Sequence, residues 1–159
     1  MTDKPTAEET VTWKKRLASQ ANNRGWALAE QPKRTPEEDE EMLQAAHAAS
    51  FFWNQIGTAS NHAHAWQLLA HAYALQGIAG PAQHYGTRAF NFFTQNPCEP
   101  WELAFAHAVA ANVAACAGIK DAHRFHYAQA QALIAALSDP EDTNILDATL
   151  RVVPVPKAQ

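Results

Sequence analysis

Histidine is the residue in this chain whose chemistry is most conspicuous, with eight copies among 159 residues. Imidazole can bind a metal ion, transfer a proton or form hydrogen bonds near neutral pH. His64 and His71 would share one side of a helix, but their backbones would lie about 10 Å apart, too far for an easy shared metal. His123 and His126 are three residues apart and could share an ion. A site would still need a third ligand, and no His-Glu-x-x-His motif is present. We therefore expect no metal and no other cofactor.

Nucleophilic side chains give no stronger indication of catalysis. No serine lies in a Gly-x-Ser-x-Gly context. Cys98 stands in a turn-like NPCEP stretch without an assignable base, and Cys116 lies between alanines as a small core residue would. The two cysteines form no Cys-x-x-Cys pair, although a lone disulfide stays open. We expect no catalytic residues.

Charge and hydropathy exclude several classes of partner. The net charge is −4, and the two short basic stretches, 13–16 and 32–34, have acidic residues nearby. Nucleic-acid binding needs a clustered basic face, so we expect no nucleic-acid partner. The N-terminus lacks an apolar signal region, and no apolar run approaches the length of a membrane span. We expect a cytoplasmic protein that does not bind membranes.

The segments that carry the histidines and cysteines are predicted to form helices. Alanine, the best helix former, is abundant, and β-branched residues are sparse. Residues typical of helix N-termini occur at Thr6, Thr35-Pro36 and Asp139-Pro140. The predicted helices are 7–30, with a break at 22–25, then 36–56, 60–77, 80–95, 100–118, 121–137 and 140–150.

Two helices have a predicted inward face. The first should bury Trp13, Leu17, Ala21 and Leu28. The second should bury Met42, Ala46, Ala49, Trp53 and Ile56. Residues 1–150 are predicted to form a single helical domain, and 151–159 an extended or frayed tail.

The breaks between helices recur at a nearly constant interval. Gly57, Gly77, Pro97 and Gly118 are 20, 20 and 21 residues apart. A helix with a short loop, repeated at that interval, gives antiparallel pairs of about 40 residues that can stack into an array. Which helix pairs with which is left open by this spacing.

The stretch WQLLAHAYALQGIAGPAQHYGTRAF, residues 66–90, resembles a tetratricopeptide repeat. A weaker copy covers 105–130, and residues 26–58 resemble a group of uncharacterised bacterial helical-repeat proteins. The signature positions of the first copy are Trp66, Leu69, Ala70, Tyr73, Gly77, Ala82 and Ala89.

The resemblance implies an all-α, right-handed array of six or seven antiparallel helices with a concave, partner-binding face. By that resemblance, the groove residues are His64, Gln67, His71, Phe105, Ala108 and Asn112. The expected function is a non-catalytic adaptor that binds a protein or peptide. Association of identical copies is a further expectation. The alternative is a small-molecule or metal-binding helical domain, with enzymatic activity left open, that uses the clustered histidines.

Overall fold

The computed structural model describes residues 4–157, where every regular element is a helix. Each predicted helix is found within two residues of its expected ends, so the all-α prediction is confirmed for this part of the chain. None of these helices is both long and apolar enough to cross a membrane. The helices are α1 (Ala7–Ala29), α2 (Pro36–Ile56), α3 (Ala59–Leu75), α4 (Ala79–Gln95), α5 (Pro100–Cys116), α6 (Lys120–Ala135) and α7 (Pro140–Arg151).

Side-chain caps explain why the N-termini of the helices could be predicted from the sequence. Thr6 accepts a hydrogen bond from the Glu9 amide at 3.1 Å, and the Glu9 carboxylate accepts one from the Thr6 amide at 2.8 Å. Thr35 and Glu38 form the same reciprocal pair at α2. These bonds satisfy amides that have no partner inside the helix, which fixes the first residue.

The predicted break in α1 is wrong. The helix runs unbroken through 22–25. Gly25 is a contact position there, since a Cβ atom on it would lie 2.7 Å from Cδ2 of Leu68. The glycine therefore lets α1 approach α3 closely.

The inward face of α1 also differs from the prediction. Trp13 and Leu17 are 51% and 46% exposed, whereas Leu28 is fully buried as expected. The buried stripe of the helix passes through Ala18 and Gly25. Small residues bring the two backbones together, and they carry little hydrophobic signal in the sequence.

The helices pair as three hairpins, which resolves the ambiguity of register. The closest packing joins α1 with α2, α3 with α4, and α5 with α6. In addition, α3 contacts α1 and α5, and α5 contacts α7. These four odd-numbered helices therefore share one side of the molecule, and α3 and α5 are its most extensively buried helices.

The hairpins α3–α4 and α5–α6 turn in the same way. Gly77 and Gly118 have φ values of +73° and +72°, a left-handed conformation that favours glycine. The following amides, of Ile78 and Ile119, each donate to a carbonyl five residues back, at 2.9 Å. This is the Schellman arrangement, and it recurs 41 residues later, so α3 and α5 end in the same way.

Replacing Gly77 with alanine is expected to lower the free energy of unfolding by about 1–2 kcal/mol, because a Cβ disfavours the left-handed conformation. Gly80 is the matched control, since it lies in α4 and a Cβ there would meet nothing. Gly80→Ala should be neutral or stabilising by up to about 1 kcal/mol. Urea unfolding of both variants measures the difference, and equal losses would contradict the assigned turn.

The described part of the C-terminal segment packs against the helices. Residues 152–157 are not helical. However, Val153 is only 3% exposed, and Nε2 of His123 donates to the Pro154 carbonyl at 2.7 Å. The part of the tail prediction that concerns residues 158–159 lies outside the described residues, as does the part of the domain prediction that concerns 1–3.

Candidate functional site

A cleft of about 520 Å³ opens on the side that the odd-numbered helices share. Its walls include three tryptophans, Trp26 of α1, Trp53 at the end of α2 and Trp101 of α5, so we call it the tryptophan cleft. Phe105 of α5 and Ile145 of α7 add to its apolar lining. A cavity of this size falls in the range of ligand-binding clefts, which run from about 300 to 1,000 Å³.

Aromatic contacts hold two of the tryptophan rings. The Trp26 ring lies 4.8 Å from the Phe105 ring and 5.5 Å from that of His71, measured between centroids. Trp101 stacks on His64 at 5.7 Å with an interplanar angle of 12°. Because these neighbours come from α3 and α5, side chains of those two helices hold the tryptophan rings in the cleft wall.

His64 is the polar side chain at the centre of this arrangement. Its Nε2 lies 2.8 Å from a Glu102 carboxylate oxygen, and its Nδ1 lies 3.2 Å from the side-chain oxygen of Gln67. The other Glu102 oxygen accepts the Glu99 amide and caps α5. Both ring nitrogens lie within hydrogen-bond distance of side chains of the protein, and these contacts fix the orientation of the ring. The geometry therefore favours a positioning role.

Glu30 brings a carboxyl group to the same cleft. It is half-buried at the C-terminal end of α1. Burial raises the pKa of Glu30, while Arg151 acts in the opposite direction. Within residues 4–157, no basic side chain lies within ion-pair distance of it.

The six predicted groove residues lie together but at different depths. His64 and Phe105 line the cleft. The other four, Gln67, His71, Ala108 and Asn112, are at most 2% exposed. A partner in the cleft would contact the first two directly, whereas the other four are covered by the protein itself. Whether any of the six contacts a partner stays a prediction.

Two of the buried groove residues, His71 of α3 and Asn112 of α5, contact each other. The Asn112 side-chain amide donates to Nδ1 of His71 at 3.1 Å. That leaves Nε2 of His71 without a hydrogen-bond partner among the described residues. Burial, followed by the positive charge of Arg34, lowers the pKa of His71 to about 3. His71 is therefore neutral at physiological pH and acts as part of the core.

The wall that α1 contributes was missed by the sequence analysis. Asn22, Trp26 and Glu30 are spaced four residues apart, so they occupy one helix face. That spacing was visible in the sequence. It did not stand out because the predicted inward residues of α1 lay on another face.

The remaining histidines do not gather into a metal site. His123 is turned to Pro154, whereas Nδ1 of His126 lies 3.0 Å from Nδ1 of His107, so the two rings face different partners. Burial, and then the neighbouring His126, lowers the pKa of His107 to about 4. Across residues 4–157, no group of three or more His, Cys, Asp or Glu side chains could hold an ion.

Both cysteines are free thiols in the structure. Cys98 donates to the Phe93 carbonyl at 3.3 Å. Burial, followed by Glu102 and Glu99, raises the pKa of Cys98, and burial raises that of Cys116. A catalytic thiol needs the opposite shift, because the thiolate is the nucleophile.

Three comparisons with known proteins give no relative to guide the assignment. No protein-family model, curated protein or solved structure matches the chain. The geometry of the cleft is therefore the basis on which a function can be assigned.

Proposed function

We propose that this protein is a non-catalytic cytoplasmic adaptor that binds a segment of another protein, or a peptide, in the tryptophan cleft. The observation that carries this proposal is the convergence of Trp26, Trp53 and Trp101 on one cleft. Tryptophan dominates the energetics of protein interfaces because it presents a large rigid surface at little entropic cost. A cluster of three around a cavity is thus suited to holding an extended or helical segment.

The repeated hairpins support the helical-repeat part of this proposal. The residues that resemble a tetratricopeptide signature have suitable places, since Leu69, Ala70, Ala82 and Ala89 are at most 2% exposed. Tyr73 stacks on Tyr85 with an interplanar angle of 7°. A right-handed, tetratricopeptide-like array belongs to the proposal on these grounds. In such an array the first helices of the pairs face the partner.

A small organic ligand is the second candidate occupant. The cleft volume of about 520 Å³ favours it, because drug-sized molecules occupy cavities of this order. Catalysis on such a ligand has less support, since His64 is engaged at both nitrogens and both thiols have raised pKa values.

Selection from a random displayed-peptide library on the immobilised protein tests the adaptor proposal. Selected peptides should lose affinity at least about tenfold with Trp53→Ala, because the cleft loses one aromatic wall. Trp66→Ala is the matched control. Trp66 is also half-buried, but it does not line the cleft. It lies under Arg88, whose guanidinium is 4.0 Å from the ring centroid.

The control should bind within about twofold of the wild type, and circular dichroism should verify that both variants are folded. Failure to select any peptide, or equal losses in the two variants, would contradict the proposal. A selected peptide displaced by a small molecule that shares the cleft would favour the second candidate.

A further inference from the structure

We propose that the tryptophan cleft recognises an arginine side chain of the bound segment, which lies against a tryptophan face and forms an ion pair with Glu30. This inference rests on the proposed function, because it names the chemistry of the residue that the cleft would accept. Three features of the cleft support it: the charge of the lining residues, the tryptophan faces and the hydrogen-bond acceptors on the α1 wall.

The charge of the cleft lining is one-sided. Glu30 is its carboxylate, and no lysine or arginine stands among the lining residues. Arg151 attracts Glu30 from beyond ion-pair distance. A half-buried carboxylate without a close partner is costly, and an incoming cation would relieve that cost. The cleft is therefore complementary to a positive ligand group.

The tryptophan rings of the cleft also favour a positively charged ligand group. The face of an indole ring is electronegative and attracts cations, most strongly when water is excluded. The chain already shows this contact elsewhere, where the Arg88 guanidinium lies 4.0 Å from the Trp66 ring centroid. Trp26, Trp53 and Trp101 offer comparable surfaces inside the cleft.

The acceptors favour arginine over lysine. A guanidinium has five N–H donors in a fixed plane, whereas an ammonium is a compact and strongly hydrated point charge. Glu30 supplies two oxygens for a bidentate pair, and the Asn22 and Asn23 side chains add amide oxygens on the same wall. A planar cation can use these acceptors and still stack on a tryptophan, which an ammonium cannot do as well.

The test uses the 159-residue protein and four short peptides. The peptides differ only at one central residue, which is arginine, citrulline, lysine or glutamate. Citrulline keeps the planar shape of arginine without its charge. Tryptophan indole N–H resonances are followed by two-dimensional NMR. The arginine peptide should move the resonances of Trp26, Trp53 and Trp101 and leave those of Trp13 and Trp66 in place.

The arginine peptide should also bind at least about tenfold more tightly than the citrulline peptide, with lysine between them. Glu30→Gln should reduce the affinity for the arginine peptide to the level for citrulline. Glu37→Gln, an exposed carboxylate in the first turn of α2, is the matched control and should leave it unchanged. Urea midpoints verify that both variants are folded.

The outcomes separate the two proposals. Library-selected peptides that move the three cleft indoles, but bind equally well with citrulline in place of arginine, would overturn the arginine inference and leave the adaptor function standing. Equal effects of Glu30→Gln and Glu37→Gln would overturn it as well. If no peptide of any composition moves the three indoles, both proposals fail.

Discussion

Replacing Trp26 with alanine is expected to lower the free energy of unfolding by about 3 kcal/mol, the low end of the range for aromatic truncation because the ring is half-buried. The Trp26 ring packs against three separate clusters of buried residues, which lie around Leu28, Val109 and Phe105. Its removal opens a cavity where α1, α3 and α5 meet. The measurement is the urea unfolding midpoint, with an unchanged slope showing that the two-state transition is preserved.

Trp13→Ala is the matched control on the same helix. Trp13 is 51% exposed, so its truncation should change the free energy of unfolding by no more than about 0.5 kcal/mol. Similar losses in the two variants would contradict the orientation of α1. The same pair also probes binding, since Trp26→Ala removes a wall of the tryptophan cleft and Trp13→Ala does not.

Stability is expected to fall as the pH drops from about 7 to 5. Burial lowers the pKa of His71 to about 3 in the folded protein, against an ordinary value of 6.5. Below pH 6.5, His71 is therefore protonated in the unfolded chain but stays neutral in the folded chain. The stabilisation is fully present above pH 6.5 and is lost progressively down to about pH 3. For His71 the loss between pH 7 and 5 amounts to about 2 kcal/mol.

His107 and His126 act with the same sign, because burial lowers the pKa of each below its ordinary value. Urea unfolding at several pH values measures the slope. His71→Gln should flatten it, since glutamine does not titrate. His84→Gln, an exposed position on α4, should leave it unchanged. A wild-type profile that is flat between pH 7 and 5 would contradict the lowered pKa of His71.

The helix boundaries could be predicted because they depend on local chemistry. Thr6 and Thr35 cap their helices through bonds that span only three residues, and Gly77 and Gly118 take a backbone conformation that favours glycine. Each such signal is contained in a few neighbouring residues. A single sequence is enough to show them.

The face of α1 could not be predicted in the same way, since it depends on distant residues. Gly25 acquires its role only opposite Leu68, which is 43 positions away in the chain. Trp13 and Leu17 are more hydrophobic than Ala18, yet Ala18 is the residue that is buried. Close backbone packing outweighs side-chain hydrophobicity here, and hydrophobic periodicity does not report it.

Only the part of the candidate site that depends on helix register could be predicted from the sequence. His64 and Phe105 lie in the cleft because helix register alone places them on the shared side of α3 and α5. Trp26 covers His71, one of the buried groove residues, at 5.5 Å, and that contact needs the position of α1 against α3. The convergence of three tryptophans from α1, α2 and α5 is likewise a product of the tertiary fold.

The measurement that tests the central claim most directly is photo-cross-linking with a library-selected peptide that carries a benzophenone side chain. Mass spectrometry then identifies the cross-linked residues of the protein. If the tryptophan cleft is the binding site, we expect cross-links at its lining residues, around Trp26, Trp101 and Ile145. Cross-links concentrated instead at exposed aromatic residues outside the cleft, such as Phe51 or Phe125, would contradict it.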